Sequence, residues 1–392
     1  MKKNILATLM CAMAILSCAD EENDLCPKGT NYQKSYTEVE STALDFANSI
    51  LQVDEYQRTR ASNIKILETK KLNVQSTRAD SKDFFSVSLT EDKGTVLMMK
   101  DAFSATPLAY FMNETGINYN TAIEDTTDLG FLVDLAISYG MDLPEGTPST
   151  RSSQSWNILS IEYPKCKTWW HQLSPYNQKC KDKNGNTLPA GCIAVAGAQA
   201  LSVLRPSLSF ISDWPAVISA GISSSYVDEI STLIHEVGIQ SGIDYNNGKT
   251  GTIDLQQLVN YFSTLNISRC KDEYILDVIK SFHGVAIATG YRARHGWLKK
   301  HYYDGHAFLL DGYVEFDKRK GNNLDNDRFY MHINYGQPGH DDRNNGVYLL
   351  SSQKAWDENI ADTASDIYTE YKFKVTFYPF ARNTELNTWW KL

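Results

Sequence analysis

The sequence predicts an α+β protein with two folded units behind a short leader. Its length of 392 residues exceeds the roughly 100–200 residues of a typical domain, which favours two units. Hydrophobic residues make up 42% of the chain, an ordinary fraction for a globular protein. Apolar residues recur at helical spacing in some segments and in short strand-like runs in others, so both kinds of element are expected.

Composition excludes several classes of protein. The chain has seven cysteines, too few for a small scaffold held together by disulfides. Its formal net charge of −9 leaves no excess of Lys and Arg to neutralise phosphates, so we expect no nucleic-acid partner. After the leader, no stretch is long and apolar enough to span a bilayer.

Residues 1–17 predict a lipoprotein signal peptide. Two lysines precede a short apolar run, Ile5–Leu16, and the sequence Leu-Ser-Cys that ends at Cys18 resembles a bacterial lipobox. An ordinary secretion signal with an incidental cysteine is the alternative. Residues 18–35 start with an acidic tract and are interpreted as a tether. We therefore expect lipidation of Cys18 and a protein anchored in the cell envelope, at the outer membrane or the cell surface.

Residues 36–143 predict a small α+β unit. Apolar residues at helical spacing predict helices over residues 37–52 and from Asp128 to Tyr139. Between them, alternating residues predict a strand over 85–89, which a turn connects to a second strand over 95–99. The unit contains no cluster of His, Cys and carboxylates, which indicates a packing or masking role.

Residues 144–153 predict a linker between the two units. This stretch is rich in turn formers and small polar residues, a composition typical of exposed linkers and of protease-sensitive sites. The charge changes across it: residues 18–151 hold 22 acidic and 12 basic residues, whereas residues 152–392 hold 25 and 24. We therefore expect a unit boundary and a processing site here.

Residues 154–392 predict two helices followed mainly by strands. The helices are expected at residues 192–204 and 226–237, and the strands at 284–289, 307–310, 329–334, 347–350 and 371–378.

Cys192 is the first candidate for chemistry. It follows Pro189 and Gly191, which break the preceding structure, and it opens the predicted helix 192–204. A helix N-terminus carries unpaired N–H groups and a partial positive charge, which favour a thiolate over a thiol. A buried cysteine that serves as a small hydrophobe is the alternative. A nearby base would favour the catalytic interpretation.

His306 and His332 are the candidate bases. His306 begins an apolar strand, and His332 lies two residues before Asn334 on another. Two residues on one strand are roughly 6.5–7 Å apart, too far for a good hydrogen bond between their side chains. Directly opposed residues on paired strands have Cβ atoms about 4.5–5.5 Å apart, so Asn334 could orient His306. We therefore expect His306 to be the base and His332 to be a supporting residue, hydrogen-bonded in the core.

Several motifs in this half of the chain resemble the streptopain family of secreted bacterial cysteine proteases. The matching segments are Gln172–Asn177, Ala190–Ala196 with Gln199, Gly305–Phe308 with Asp311–Tyr313, and His332–Gly336. The chain departs from the family at Tyr335 and Gln337, where tryptophans are usual, and at Asp304, where glycine is usual.

The resemblance implies a papain-like two-part cysteine protease domain at 154–392, preceded by an inhibitory prosegment at 36–143. It implies Cys192 as nucleophile, His306 as base, Asn334 as orienter and Gln172 as oxyanion donor, with protein or peptide substrates and no cofactor or metal. An amidase acting on cell-wall peptides and a catalytically dead surface binding protein are the alternatives.

Two further features are less informative. The spacing of acidic and amide side chains between Asp244 and Asp254 departs from the EF-hand pattern, so a plain turn is favoured over a Ca²⁺ loop. The pairing of Cys166, Cys180, Cys270 and Cys26 is not determined by the sequence, although Cys166 and Cys180 are candidates for a disulfide.

Overall fold

The fold is described from a computed structural model. It describes residues 30–53, 64–74, 82–90, 93–112, 114, 116–117, 128–143, 156–250, 254–295, 300–316, 328–336, 346–351 and 371–386. The predicted signal peptide, Cys18, Cys26 and the predicted linker at 144–153 lie outside these residues. The chain from Val39 to Leu392 forms one compact unit, which contains most of the predicted prosegment and the predicted protease domain.

The predicted prosegment contains helices at both ends and strands between them. The elements are α1 (Thr30–Val53), β1 (Ile66–Leu72), β2 (Asp83–Leu89), β3 (Thr95–Lys100), β4 (Ala105–Phe111) and α2 (Asp128–Asp142). The two predicted helices and the two predicted strands are confirmed, and β1 and β4 are additional.

The predicted protease domain places its helices before most of its strands. The elements are β5 (Ile158–Glu162), α3 (Cys192–Leu204), α4 (Trp214–Ile218), α5 (Val227–Gln240), α6 (Leu255–Thr264), β6 (Ile267–Arg269), α7 (Ile275–Ser281), β7 (Val285–His295), β8 (Lys300–Phe316), β9 (Arg328–Asn334), β10 (Gly346–Ser351) and β11 (Tyr371–Arg382). The α+β class and the predicted elements are confirmed. Helix α3 has the predicted bounds, whereas β8 is much longer than the predicted 307–310.

A continuous antiparallel sheet runs through both parts of the chain. Its strand order is β1-β2-β3-β4-β10-β9-β8-β7-β11-β6, with β5 paired to β8. The junction between the two parts is the pairing of β4 with β10, in which Val347 lies opposite Phe111 and Leu349 opposite Ala109. The strands of the predicted prosegment therefore extend the sheet that carries the candidate site.

The two faces of the sheet belong to different cores. On β8, Phe308 and Leu310 pack into a core with α2 and the strands of the predicted prosegment. Ala307 and Leu309, which alternate with them, pack into a second core with α3 and the other helices of the protease domain. Helix α2 therefore covers one face of β8, and α3 covers the other.

The structure also bears on the Asp244 turn, the cysteines and membrane-spanning helices. The segment around Asp244 is a turn, with a 3₁₀ helix at Tyr245–Asn247 that the Asp244 side chain caps, so the plain-turn interpretation is confirmed. Cys166, Cys180 and Cys270 are free thiols, so the considered disulfide between Cys166 and Cys180 is absent. Within the described residues, no helix has the length and apolar character needed to cross a membrane.

Candidate active site

Cys192 is the first residue of α3 and is partly exposed, whereas most of the helix that follows is buried. The N-cap is Gly191, which has no side chain to occupy the N–H groups of the first turn. Such a helix end attracts an anion, either a thiolate or the oxyanion of a reacting carbonyl. The position of Cys192 therefore suits a nucleophile, as its sequence context predicted.

Gly191 is required by the backbone next to the thiol. Its φ of 91° lies in the left-handed region, which non-glycine residues rarely adopt. A Cβ at this position would also lie 2.8 Å from Ile243 Cδ1 and 2.9 Å from the Thr250 carbonyl oxygen. Any larger residue at position 191 would therefore displace the start of α3.

Gln172, the predicted oxyanion donor, lies in a segment bonded to the residues just before Cys192. The Ala190 N–H donates to the Gln172 carbonyl at 2.9 Å. The Tyr245 hydroxyl donates to the Ala190 carbonyl at 2.6 Å, so Ala190 is fixed on both sides. The half-buried Gln172 side chain and the start of α3 are therefore held in one local framework.

His306 is buried on β8 and follows an irregularity in the strand pairing. His306 lies opposite Gly290 on β7, and the register shifts between Gly290 and Arg292. Bulges of this kind re-aim side chains and occur next to active sites.

The ring of Phe131 on α2 covers the pair formed by His306 and Gly290. The centroids of the Phe131 and His306 rings are 5.3 Å apart, at an interplanar angle of 51°. A Cβ on Gly290 would overlap the Phe131 ring, so glycine there makes the close approach possible. A helix of the predicted prosegment thus contacts the predicted base directly.

The expected direct opposition of His306 and Asn334 was wrong. Strands β8 and β9 do pair, but the residue opposite Asn334 is Leu309, three residues after His306. Three residues span about 10 Å along a strand. The role of Asn334 as an orienter of His306 remains a prediction that strand register does not support.

The Asn334 side chain instead joins three segments. Its Oδ1 accepts hydrogen bonds from Gln199 Nε2 at 3.0 Å and from the Gly336 N–H at 3.2 Å. Its Nδ2 donates to the Thr168 carbonyl at 3.2 Å and contacts Cys166 Sγ at 3.7 Å. Asn334 therefore ties β9 to helix α3 and to the segment that leads to Gln172.

His332 belongs to a buried polar cluster, as predicted. Its Nδ1 lies 2.6 Å from Asp311 Oδ1, and the other Asp311 oxygen accepts the Cys166 N–H at 2.7 Å. Asp311 occupies the register shift between Leu310 and Gly312, which brings its carboxylate into this cluster. Burial raises the pKa of the Cys166 thiol to about 11, so this sulfur is neutral at physiological pH.

Three of the residues near the site had no role assigned from the sequence. Phe131, Tyr245 and Asp311 contact or support the candidate site, but they lie far from Cys192 in the chain or inside an apolar run. The one usable signal was Asp311, a lone carboxylate within the apolar strand of His306. Among the described residues, no group of three or more His, Cys, Asp and Glu side chains could hold a metal ion.

Comparison with known proteins agrees with the motifs. Residues 170–344 match the Peptidase C10 family. None of the curated proteins matches the chain.

Two solved structures from Prevotella intermedia are similar. A fragment of prointerpain A that carries a cysteine-to-alanine mutation is 14% identical with a TM-score of 0.43; the alignment covers 79% of this chain and 98% of that one. Active wild-type interpain A is 16% identical with a TM-score of 0.36, covering 57% of this chain and 95% of that one. The comparison that carries weight is therefore the one over residues 170–344, which span Gln172, Cys192, His306 and Asn334: this part of the chain is similar to the cysteine-type peptidases of the Peptidase C10 family.

Proposed function

We propose that this protein is a lipid-anchored cysteine endopeptidase of the cell envelope, made as a zymogen, in which Cys192 is the nucleophile. The observation that carries the site assignment is the position of Cys192 on the first turn of a buried helix, next to a segment that presents Gln172. Protein or peptide substrates follow from the peptidase family.

The proposed reaction passes through an acyl-enzyme. The Cys192 thiolate attacks the peptide carbonyl carbon, and the resulting oxyanion accepts hydrogen bonds from the Cys192 N–H and the Gln172 amide. The C–N bond breaks as the His306 imidazolium protonates the leaving amine. Neutral His306 then takes a proton from water, whose oxygen attacks the thioester and releases Cys192.

The proposed roles are testable with variants of the full chain. Cys192→Ala should abolish both peptide hydrolysis and labelling by a thiol-directed epoxide. His306→Ala should lose nearly all turnover while it stays folded, and His332→Ala should lose stability more than turnover because its partner is the buried Asp311. A folded His306→Ala with near-normal turnover, beside an inactive folded His332→Ala, would contradict the choice of base.

The zymogen proposal is supported by the way the prosegment packs. Its strands share a hydrophobic core with strands β7 to β10, and Phe131 contacts the ring of His306. His306 is buried in this arrangement, so we expect the Phe131 ring to hinder the approach of a substrate to the imidazole. We expect the prosegment to keep the enzyme latent until the predicted linker at 144–153 is cut.

The test is the conversion of the purified precursor. Wild-type protein should convert to a fragment that begins near residue 152, whereas Cys192→Ala should stay intact when no other protease is present. Activity should appear only after the fragment has formed. Full activity of an uncut precursor would refute the zymogen proposal without affecting the assignment of Cys192.

Anchoring through Cys18 is a separate proposal that rests on the lipobox. A bacterial lipoprotein carries more than one acyl chain, so spontaneous release from the membrane should be negligible. Metabolic labelling with a fatty acid should mark the wild type and not Cys18→Ser. Recovery of unlabelled wild-type protein from the culture medium, with its N-terminus at another residue, would overturn this part alone.

A further inference from the structure

Gln199 is a buried amide in a helix that otherwise presents almost no polar side chains to the core. Helix α3 reads CIAVAGAQALSVL, and Gln199 is fully buried within it. Burial of an amide costs free energy unless its groups are hydrogen-bonded. A buried amide at this position is therefore expected to use its N–H groups in hydrogen bonds.

The Gln199 amide joins α3 to two other segments. Its Nε2 donates to Asn334 Oδ1 on β9 at 3.0 Å and to the Trp170 carbonyl at 3.2 Å. Both N–H groups of the amide are used. These bonds cross sequence separations of 135 and 29 residues, so they fix tertiary geometry.

Both hydrogen bonds of Gln199 connect segments that carry the proposed catalytic groups Cys192 and Gln172. Gln199 lies seven residues after Cys192, which is about two helical turns, so the two residues lie on the same side of α3. Trp170 lies two residues before Gln172, whose carbonyl accepts the Ala190 N–H. The Gln199 amide thus sets the position of the thiol helix relative to the segment that carries the oxyanion donor.

A second contact constrains the same arrangement. Gly336, which follows Asn334 by two residues, has a φ of 65°, and a Cβ there would lie 2.8 Å from Val195 Cγ1 on α3. Its N–H also donates to Asn334 Oδ1. The turn after β9 is therefore pressed against the first turns of α3, and Asn334 receives hydrogen bonds from both sides of this contact.

We propose that Gln199 is a positioning residue for catalysis, which aligns Cys192 with Gln172 through its bonds to Asn334 and to the Trp170 carbonyl. This inference rests on the proposed roles of Cys192 and Gln172. Misplacement of reacting groups by about 1 Å can reduce a rate by about 100-fold. Loss of the two bonds should therefore lower kcat and leave KM nearly unchanged, because substrate contacts are not removed.

The main test is Gln199→Glu, which keeps the shape of the side chain and replaces both N–H donors with acceptors. At neutral pH we expect kcat per active site to fall about 10–100-fold, with KM within about twofold. A protonated carboxyl can donate one hydrogen bond, so the ratio of variant to wild-type kcat should rise as the pH falls. Dividing the variant kcat by the wild-type kcat at each pH cancels the effect of ionisations that both proteins share, including those of His306, His332, Asp311 and Cys192.

Gln199→Met is the second variant. It buries no charge, so it should fold even if the Gln199→Glu variant does not. It should show the same loss of kcat, with a ratio to wild type that does not change with pH. Ser231→Ala is the matched control: Ser231 is fully buried on α5, and its hydroxyl accepts the Lys179 N–H at 3.0 Å instead of bonding to Asn334 or to the Trp170 carbonyl. It should lower stability and leave kcat per active site within about twofold of wild type.

All rates are measured on the full chain after it has activated, and active sites are counted by epoxide titration. If both Gln199 variants keep kcat within about threefold of wild type, the inference is overturned. It is also overturned if Ser231→Ala loses kcat as much as they do, or if the kcat ratio of Gln199→Glu does not rise at acidic pH. If the wild type itself is not labelled by the epoxide, the proposed function fails instead.

Discussion

Removal of the Phe131 ring should release the proposed latency. Phe131 is fully buried on α2 and contacts His306 and Phe308 on β8. A buried Phe→Ala substitution typically costs about 3–5 kcal/mol, and each 1.4 kcal/mol is tenfold in an equilibrium. If this free energy is lost from the packing of α2 against β8, Phe131→Ala should raise the population of molecules with α2 detached by about 10²–10³-fold or more.

The assay is the time course of activation of purified precursor, followed by hydrolysis of a peptide substrate and by gel. Ile137→Ala is the matched control, because Ile137 is also fully buried in the same core of α2. It lies six residues from Phe131, or about 9 Å along the helix axis. Urea unfolding of each variant, made in the Cys192→Ala background, gives the loss of stability against which the activation rates are compared.

We expect Phe131→Ala to activate at least about tenfold faster than Ile137→Ala at an equal loss of stability, because only the first variant also uncovers the His306 ring. Equal acceleration would mean that latency depends on the stability of the prosegment and not on the contact with His306. An unchanged activation rate in Phe131→Ala would refute the masking role of α2 altogether.

Three further predictions concern the surroundings of the site. Lys82→Met should shorten the activation half-time a few-fold, measured as above, because Lys82 Nζ donates to the Gly140, Met141 and Leu143 carbonyls at the end of α2. Tyr245→Phe should lower kcat about 10-fold, because the carbonyl two residues before the nucleophile loses its buried donor. At pH 7–8, iodoacetamide should modify Cys192 but not Cys166 or Cys180. Burial raises the pKa of the Cys166 and Cys180 thiols to about 11, so these two residues form reactive thiolates only as the pH approaches that value. Peptide mapping of the native protein after treatment checks this prediction.

The sequence predicted best where one segment determines its own structure. Helix α3 has the predicted bounds, because Gly191 ends the preceding backbone and a largely apolar run continues from Cys192 to Leu204. The strand that carries Asn334 was also predicted almost to the residue. In both cases the pattern and the breaking residues lie within about a dozen neighbouring positions.

Strands without a strong pattern were missed for a physical reason. In β1, which reads ILETKKL, only the last residue is buried, so the strand shows no apolar alternation. It forms because β2 offers backbone partners along its length. Pairing between distant segments provides its stability, and a single sequence does not show such pairing.

The candidate site shows the same division between local and long-range information. Cys192 and His306 could be chosen from their own surroundings, a helix start and a strand start that follows a glycine. The residue opposite Asn334 could not be predicted, because the register of β8 against β9 is set by pairing between distant segments: Leu309, and not His306, lies opposite Asn334.

The shared sheet also constrains how the proposed zymogen can open. A cut in the predicted linker removes the covalent connection there, and several contacts between described residues remain. They include the pairing of β4 with β10, the core around α2, and the cluster of Phe46 with aromatic rings on β8 and β9. Phe46 lies on α1 with its ring centroid 4.6 Å from that of Tyr330 and 5.6 Å from that of Phe316. These contacts bury large apolar side chains, so the prosegment should remain bound after the cut. Cleavage is then necessary for activity and insufficient by itself, and the rate of activation is governed by how fast α2 leaves His306.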